Sequence, residues 1–268
     1  MNLSLVGWLF ACLLLLAAPI QAEQPLVVGV LPYQGARTLI AEHSALAAHL
    51  RATLKRPVRI VTARNAQVFG QRLLAGEYHL ALAPAHLARL AQRDAGGHLL
   101  AGHLPETPVY LLAARQPSAR PRMAEVRVAV PDSGLLVTLA AQRWFDQQAR
   151  PVRLVDAGSH AAALQAVLDG RADYAASPLA AMNLVRPTQL EQLRIAHEIG
   201  TIPLLVYVGR HDLAPADRAR IQAALLKFPV SAPLRVVTAR ELDLAAMDPY
   251  LPATRLLLAE SKERTNAR

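Results

Sequence analysis

The sequence predicts an α/β protein with two lobes that face each other and are joined by two crossover strands. Three observations support this prediction. Short runs rich in β-branched residues alternate with alanine- and leucine-rich stretches of helical period. One strand–helix segment of the first half recurs in the second half. Two apolar strands that each follow a proline separate these halves. Alternation of this kind is typical of parallel sheets covered by helices on both faces.

Each half of the chain contains its own series of strands and helices. Pro57 is expected to end one helix of the first half, and Gly76 is expected to cap the next. The predicted strands are 26–30, 58–62, 79–83, 127–130, 152–155 and 172–176. The predicted helices are 39–54, 67–75, 135–148, 161–168, 178–185 and 214–228.

A duplicated segment indicates that the two halves are built alike. Residues 74–84 resemble residues 168–178, which lie 94 positions further along the chain. Each copy has the end of a helix, a glycine cap, a short strand and a proline in the first turn of the next helix. This favours two similar lobes, although the same order of elements is common in α/β proteins of other architectures.

The boundaries between the lobes are predicted from two apolar strands. Residues 109–113 follow Pro108, and residues 204–208 follow Pro203. Both are expected to be crossings between the lobes. The first lobe is then predicted to contain residues 23–110 and 205–268, and the second lobe to contain residues 111–204.

The N-terminus predicts export to the periplasm. Residues 3–20 are strongly apolar and uncharged, and the small residue Ala22 precedes a polar stretch. This pattern is typical of a signal peptide over residues 1–22, with an uncleaved membrane anchor as the alternative. Cys12 is the only cysteine and lies in this leader, so no disulfide or cysteine-based site is expected in the mature chain.

Charge and composition exclude some partners. The formal net charge is +9, but the basic residues are scattered and aromatic residues make up only 4% of the chain. A nucleic-acid-binding surface would concentrate basic and aromatic residues on one face, so no nucleic-acid partner is expected. A basic field would draw small anions toward a cleft.

Candidate ligand-binding residues follow the carboxyl ends of the predicted strands, where open α/β lobes bind ligands. Asp132, Ser133 and Gly134 form a small polar loop before a helix, and its free amides would suit an anion. The alternative is that Asp132 or Ser133 merely caps the helix. Asp132 would repel a phosphate unless the ligand is protonated or the side chain points away.

The other candidates lie on three further segments. His160 could donate a hydrogen bond to an anion, or be a surface or capping histidine. Tyr33 could close over a ligand from the first lobe, or simply pack beside Pro32. The loop with Pro84 and His86 is expected to close from the same side. The predicted site is completed by Ser177, which precedes the second copy's proline.

No catalytic or cofactor motif accompanies these residues. The sequence has no Gly-x-Ser-x-Gly elbow, no Gly-Lys-Ser phosphate loop and no His-Glu-x-x-His pair. Its histidines are never three or four positions apart, so no helical metal pair is expected. The sequence therefore predicts a binding protein rather than an enzyme, without a cofactor or a metal.

Several segments resemble periplasmic phosphate-, phosphite- and phosphonate-binding proteins of ABC importers. Ser159-His160 followed by Ala163 to Asp173 is similar to the second lobe of that family. The other similar segments, in the family's order, are 28–32, 76–81, 128–134 and 202–203. The resemblance covers roughly residues 26–228. It implies a type II periplasmic-binding-protein-like fold, a small oxyanion ligand between the lobes and an ABC permease as partner. The protein is expected to be a monomer.

Departures from the family's pattern bear on the ligand. The family's Ser-Thr-Ser-Gly loop is reduced to Asp132-Ser133-Gly134, which removes two hydroxyl groups. Leu204 and Leu205 stand where binders of aminophosphonates carry an acidic partner, so an aminoalkyl ligand is disfavoured. The alternative function is a sensory binding protein that reports ligand occupancy to a membrane receptor or histidine kinase.

Overall fold

The computed structural model describes residues 24–33, 35–116, 125–182 and 186–266. The predicted leader, residues 1–22, lies outside them. The strands are β1 (Leu26–Val30), β2 (Val58–Val61), β3 (Leu80–Pro84), β4 (His98–Leu104), β5 (Thr107–Ala114), β6 (Val126–Val130), β7 (Val152–Asp156), β8 (Tyr174–Pro178), β9 (Leu193–Ile202), β10 (Leu205–Gly209) and β11 (Arg235–Thr238). The helices are α1 (Ala36–Glu42), α2 (Ser44–Leu54), α3 (Ala66–Leu74), α4 (Ala85–Ala95), α5 (Leu136–Gln147), α6 (His160–Leu168), α7 (Leu179–Met182), α8 (Pro187–Leu190), α9 (Pro215–Leu226) and α10 (Leu251–Asn266), with 3₁₀ turns at Ala239–Glu241 and Leu244–Tyr250. Within the described residues, no helix combines the length and apolar character needed to cross a bilayer.

The strands form two sheets, which confirms the predicted two-lobed α/β architecture. The first sheet has the order β11-β4-β10-β3-β1-β2, and the second has the order β7-β6-β8-β5-β9. In the first, β1 lies parallel to β2 and β3, and in the second, β6 lies parallel to β7 and β8. The sheets are mixed rather than wholly parallel, because β4, β10 and β11 in one sheet and β5 and β9 in the other add antiparallel neighbours.

The chain passes between the sheets in two short links. Residues 105–106 join β4 to β5, and residues 203–204 join β9 to β10. The apolar strands after Pro108 and Pro203 are therefore not crossings themselves, because each is hydrogen-bonded within one sheet along its length. The links are short because β5 and β10 begin almost where the preceding strands end. The assignment of whole segments to one lobe or the other stays a prediction.

The predicted elements agree with the structure to within a few residues, with clear exceptions. The helix expected over 39–54 is divided at His43 into α1 and α2. The helix predicted over 178–185 is α7 as far as Met182, and residues 183–185 lie outside the described residues. Strand β9 was not predicted, because its exposed and half-buried residues do not alternate and its pairing with β5 is irregular.

The duplicated segment is a repeated structural unit. Helices α3 and α6 each contain nine residues, and the side chains of their N-caps, Asn65 and Ser159, accept hydrogen bonds from amides of the first turn. Both helices are followed by a glycine with positive φ, 71° at Gly76 and 69° at Gly170. Only glycine adopts this conformation without strain, so the same local chemistry ends both helices.

Gly29 shows how closely the first lobe is packed. It lies in β1 between β2 and β3, and a Cβ built on it would be 2.5 Å from the Tyr78 ring. We expect Gly29→Ala to lower the free energy of unfolding by about 1–3 kcal/mol, because the buried ring cannot move aside. Gly102→Ala is the matched control: its new methyl would meet the flexible end of Leu242. Urea unfolding of both variants checks this, and equal losses would contradict it.

Candidate functional site between the lobes

A cavity of about 210 Å³ lies between the two lobes, where the chain links and the helix starts of both sheets converge. It is larger than the roughly 150 Å³ apolar cavity that admits benzene in an engineered protein, so a small organic molecule fits. The cavity is lined by Leu31, Tyr33, Pro84, Thr107, Leu135, Leu136, Val137, His160, Pro178, Ala181, Ile202, Pro203, Leu204 and Leu205.

The wall of this cavity is mostly aliphatic. Polar side chains come only from Tyr33, Thr107 and His160, and no charged Lys, Arg, Asp or Glu is among the lining residues of the described chain. Apolar residues of both lobes also belong to one continuous buried cluster that runs past the cavity. A ligand here would therefore gain more from apolar contact than from ion pairing.

Tyr33 lies at the edge of the cavity on the segment after β1. Its hydroxyl is 3.0 Å from Glu42 Oε1, to which it donates, and 3.1 Å from His43 Nε2. Burial, followed by the nearby Glu42 charge, raises the pKa of Tyr33 above its ordinary value. The phenol is thus neutral and already oriented by α1 and by the turn before α2, so its ring can contact a ligand.

His160 begins α6 and contributes to the cavity wall. Burial lowers the pKa of His160 to about 4, so the imidazole is neutral near pH 7. Its Nδ1 is buried and has no hydrogen-bond partner in the described parts of the chain. A neutral imidazole has one donor nitrogen and one acceptor nitrogen, so His160 gives the cavity wall a polar group without a charge.

Helix α5 directs its first turn at the same cavity. Leu136 and Val137 line the wall, and the N-cap residue Leu135 provides no side-chain hydrogen bond to the helix. The Thr138 amide donates to the Leu135 carbonyl at 3.0 Å, whereas the amides of Leu136 and Val137 precede the first full turn and carry the partial positive charge of a helix start. An acidic group beside them would be stabilised without a cationic side chain.

The loop predicted to bind an anion directs its amides to the chain's own acceptors. The Ser133 amide donates to Asp156 Oδ2 at 3.2 Å, and the Gly134 amide donates to Asp132 Oδ1 at 2.7 Å. The Leu135 amide donates to the Asp132 carbonyl at 3.2 Å. Helix α5 begins at Leu136, and its N-cap is Leu135. The alternative prediction, that Asp132 or Ser133 caps this helix, is therefore wrong.

The same loop contacts the first lobe. Gln67 Nε2 donates to Ser133 Oγ at 2.7 Å, and a Cβ built on Gly134 would lie 3.2 Å from the Ala66 Cβ. Burial raises the pKa of Asp132 above its ordinary value, although the hydrogen bond from Gly134 opposes this shift. The loop is therefore held between the start of α3 and the end of β7.

His86 supports the loop from α4. The residue is fully buried, and its Nε2 lies 3.2 Å from the Gly134 carbonyl oxygen, to which it donates. Burial lowers the pKa of His86 to about 4, which keeps it neutral. Its Nδ1 has no partner among the described residues.

The structure thus divides the predicted site residues into three groups. Tyr33, Pro84 and His160 line the cavity. Asp132, Ser133, Gly134 and His86 form the hydrogen-bonded loop region beside it. Ser177 is buried, donates to the Pro178 carbonyl at 3.3 Å and does not line the cavity. A ligand-binding role for each of them stays a prediction.

Sequence reasoning missed most of the aliphatic wall. Leu135, Leu136 and Val137 have the apolar pattern of a core helix, and nothing in that pattern distinguishes a cavity wall from a filled core. Leu204 and Leu205 stand where binders of aminophosphonates carry an acidic partner, and this difference is a signal in the sequence that the cleft is apolar.

Comparison with known proteins identifies the family. A family model described as "ABC transporter, phosphonate, periplasmic substrate-binding protein" matches residues 28–249. The chain belongs to this family. The predicted role as the periplasmic binding component of an ABC transporter is therefore confirmed. Among curated proteins, none matches the chain's sequence.

Solved structures of phosphonate-binding family members have the same fold. PhnD1 from Prochlorococcus marinus in complex with methylphosphonate is 15% identical with a TM-score of 0.65, over 75% of this chain and 84% of that chain. A binding protein component of an ABC phosphonate transporter from Pseudomonas aeruginosa is 16% identical with a TM-score of 0.64, over 92% and 99%. A histidine kinase sensor domain similar to periplasmic binding proteins is also 16% identical, with a TM-score of 0.52 over 89% and 96%.

Proposed function

We propose that this protein captures a phosphonate or a related small oxyacid that bears an organic substituent, and delivers it to an ABC permease. The observation that supports this proposal is the cavity between the lobes. Its lining combines an aliphatic wall with the first turn of α5 and with His160. The protein would be exported by residues 1–22 and act as a monomer without a cofactor, and no catalysis is proposed.

The binding mode follows from the chemistry of the cavity. The acidic group of the ligand would accept hydrogen bonds from the first-turn amides of α5 and from His160. The organic substituent would lie against Leu31, Leu204 and Leu205, where each buried methylene contributes about 0.8 kcal/mol. Tyr33 and Pro84 would cover the ligand from the first lobe.

Closure of the lobes would couple binding to transport. The links at 105–106 and 203–204 are the two places where the chain passes between the sheets, so relative motion of the lobes would concentrate there. A ligand that contacts both lobes favours the closed form, which the permease would recognise.

Thermal unfolding of the purified protein tests this function. Methyl-, butyl- and benzylphosphonate are compared with sulfate at constant ionic strength. A ligand present at about 100 times its Kd stabilises the folded state by about 2.7 kcal/mol, which raises Tm by a few degrees in a protein of this size. Absence of a shift with every phosphonate would contradict the proposed ligand.

A variant that fills the cavity locates the binding site. Ala181 lines the cavity, and we expect Ala181→Phe to abolish the ligand-induced rise in Tm because the new ring takes the ligand's volume. Ala253→Phe, at an exposed position of α10, is the matched control and should keep the full shift. Equal shifts in the two variants would place the ligand elsewhere.

A sensory role is the alternative function. The histidine kinase sensor domain has the same fold, so this fold also occurs in a sensor protein. The two roles differ in the membrane partner. In proteoliposomes, ligand-dependent stimulation of ATP hydrolysis by a phosphonate permease complex would support transport. Ligand-dependent autophosphorylation of a co-reconstituted histidine kinase would support sensing.

A further inference from the structure

The loop beside the cavity holds two carboxylates where a bound oxyanion could accept hydrogen bonds. Asp132 accepts from the Gly134 amide, and Asp156 accepts from the Ser133 amide. The third loop amide, that of Leu135, donates to the Asp132 carbonyl. All three amide donors of the loop are therefore bound to acceptors of the chain itself.

The loop that carries Asp132 lies against the other lobe. Gln67 Nε2, in the first turn of α3, donates to Ser133 Oγ at 2.7 Å. The lobes approach closely here, because a Cβ on Gly134 would lie 3.2 Å from the Ala66 Cβ and 3.3 Å from Asp132 Oδ1. The Asp132 carboxylate thus lies where the lobes meet and accepts a hydrogen bond from the Gly134 amide, as an oxyanion held there would.

We infer that Asp132 is a specificity-determining residue whose carboxylate replaces part of the ligand's charge, so that the protein selects singly charged oxyacids with an apolar substituent over doubly charged ones. This inference rests on the proposed function. It names the substrate class of the same cavity and the residue that sets it.

Electrostatic repulsion favours a singly charged ligand over a doubly charged one. Asp132 and Asp156 accept hydrogen bonds from the loop that leads into α5, and no Lys or Arg is among the cavity-lining residues of the described chain. A doubly charged ligand at the start of α5 would therefore approach carboxylates without a cationic partner. Like charges at short range repel strongly once water is excluded, and an unpaired buried charge is costly. A single negative charge needs only the first-turn amides and His160.

The apolar wall of the cavity favours ligands that carry an apolar substituent. A phosphate ion leaves the aliphatic surface of Leu204, Leu205 and their neighbours uncovered, whereas a butyl group covers it. Each methylene removed from water improves affinity by about fourfold. A longer substituent and a lower charge should therefore reinforce each other.

Isothermal titration calorimetry at pH 8 tests the inference with four probes. They are inorganic phosphate, methylphosphonate, butylphosphonate and the monomethyl ester of butylphosphonate, which carries one charge at any pH near neutral. The unmodified protein is expected to bind the ester at least tenfold more tightly than phosphate.

Two substitutions of Asp132 distinguish the effect of its hydrogen bond to the loop from the effect of its negative charge. Asp132→Ser frees the Gly134 amide, and it is expected to improve phosphate affinity at least tenfold and to reduce the ratio of ester to phosphate affinity. Asp132→Asn keeps an acceptor for this amide and removes only the charge, so a smaller gain in phosphate affinity, at least threefold, is expected. Asp146→Ser, an exposed position on α5 with the same change in net charge, should leave the preference unchanged.

The outcomes are distinct. Equal affinity of the unmodified protein for phosphate and ester, or an unchanged preference in Asp132→Ser, overturns the role of Asp132 while leaving the importer function intact. If Asp132→Ser does not fold, an unchanged phosphate affinity in Asp132→Asn overturns it instead. Binding of none of the probes by any of the proteins overturns both this inference and the proposed ligand.

Discussion

Acidification from pH 6.5 to pH 4 is expected to destabilise the protein through His86, which is fully buried, and His160, which is half-buried. The pKa values of His86 and His160 are lowered to about 4 by burial, whereas in the unfolded chain each would lie near 6.5. Between these values the unfolded chain binds more protons than the folded one, so stability falls as the pH falls. Each histidine contributes a loss of about 3 kcal/mol by pH 4.

Substitution of His86 isolates its share of this effect. Glutamine places an amide nitrogen near the position of Nε2, so His86→Gln can still donate to the Gly134 carbonyl but cannot take up a proton. Urea unfolding at pH 6.5 and pH 4 should show a pH-dependent loss about 3 kcal/mol smaller in this variant. Asp132 acts in the opposite direction, because a raised pKa favours the folded state as the pH falls.

The control for this prediction is an exposed histidine. His211→Gln makes the same chemical change at the surface and should leave the difference between the two pH values as it is in the unmodified protein. If His86→Gln and the unmodified protein lose the same stability on acidification, the pH dependence does not arise from His86.

Removal of the Phe69 side chain is expected to cost about 3–5 kcal/mol of unfolding free energy. Phe69 is fully buried on α3, and its ring stacks on Tyr78 with centroids 5.3 Å apart. Truncation to alanine removes this burial and leaves a cavity that the strands around it cannot close. The first turn of the same helix carries Gln67, which donates to Ser133, and Ala66, which lies against Gly134 of the same loop.

Urea unfolding of Phe69→Ala at neutral pH measures this loss. Phe228→Ala is the matched control, because Phe228 follows α9, is only half-buried and contacts the ring of His49 at 5.4 Å between centroids. We expect the control to lose clearly less stability. Equal losses of unfolding free energy would mean that the side chains around Phe69 are not packed more tightly than those around Phe228.

Local sequence chemistry was enough to predict the repeated unit and where its loops lie. The glycines at 76 and 170 and the prolines at 84 and 178 act within a few residues of their own position, so their effect can be read without knowing the rest of the fold. Both prolines line the cavity, as expected for the carboxyl ends of equivalent strands. The order of motifs also led to the correct family.

Contacts between distant residues decided what those loops do. The Ser133 amide donates to Asp156, which lies 23 positions further along the chain, and a backbone amide leaves no trace in the sequence. Gln67 meets Ser133 across 66 positions of the chain, and nothing near either residue indicates the pairing. A loop with the composition of an anion site thus directs its donors to the chain's own carboxylates.

The sequence by itself determined the two α/β lobes, the caps of the duplicated helices and the family, because each depends on short-range patterns of polarity, glycine and proline. Only the tertiary structure decided that β10 inserts between β3 and β4, that leucines form the wall of the cleft, and that the loop with Asp132 and Ser133 contacts α3 of the other lobe. These features arise where segments far apart in the chain meet, and a residue's own type does not specify which neighbour the fold will bring to it.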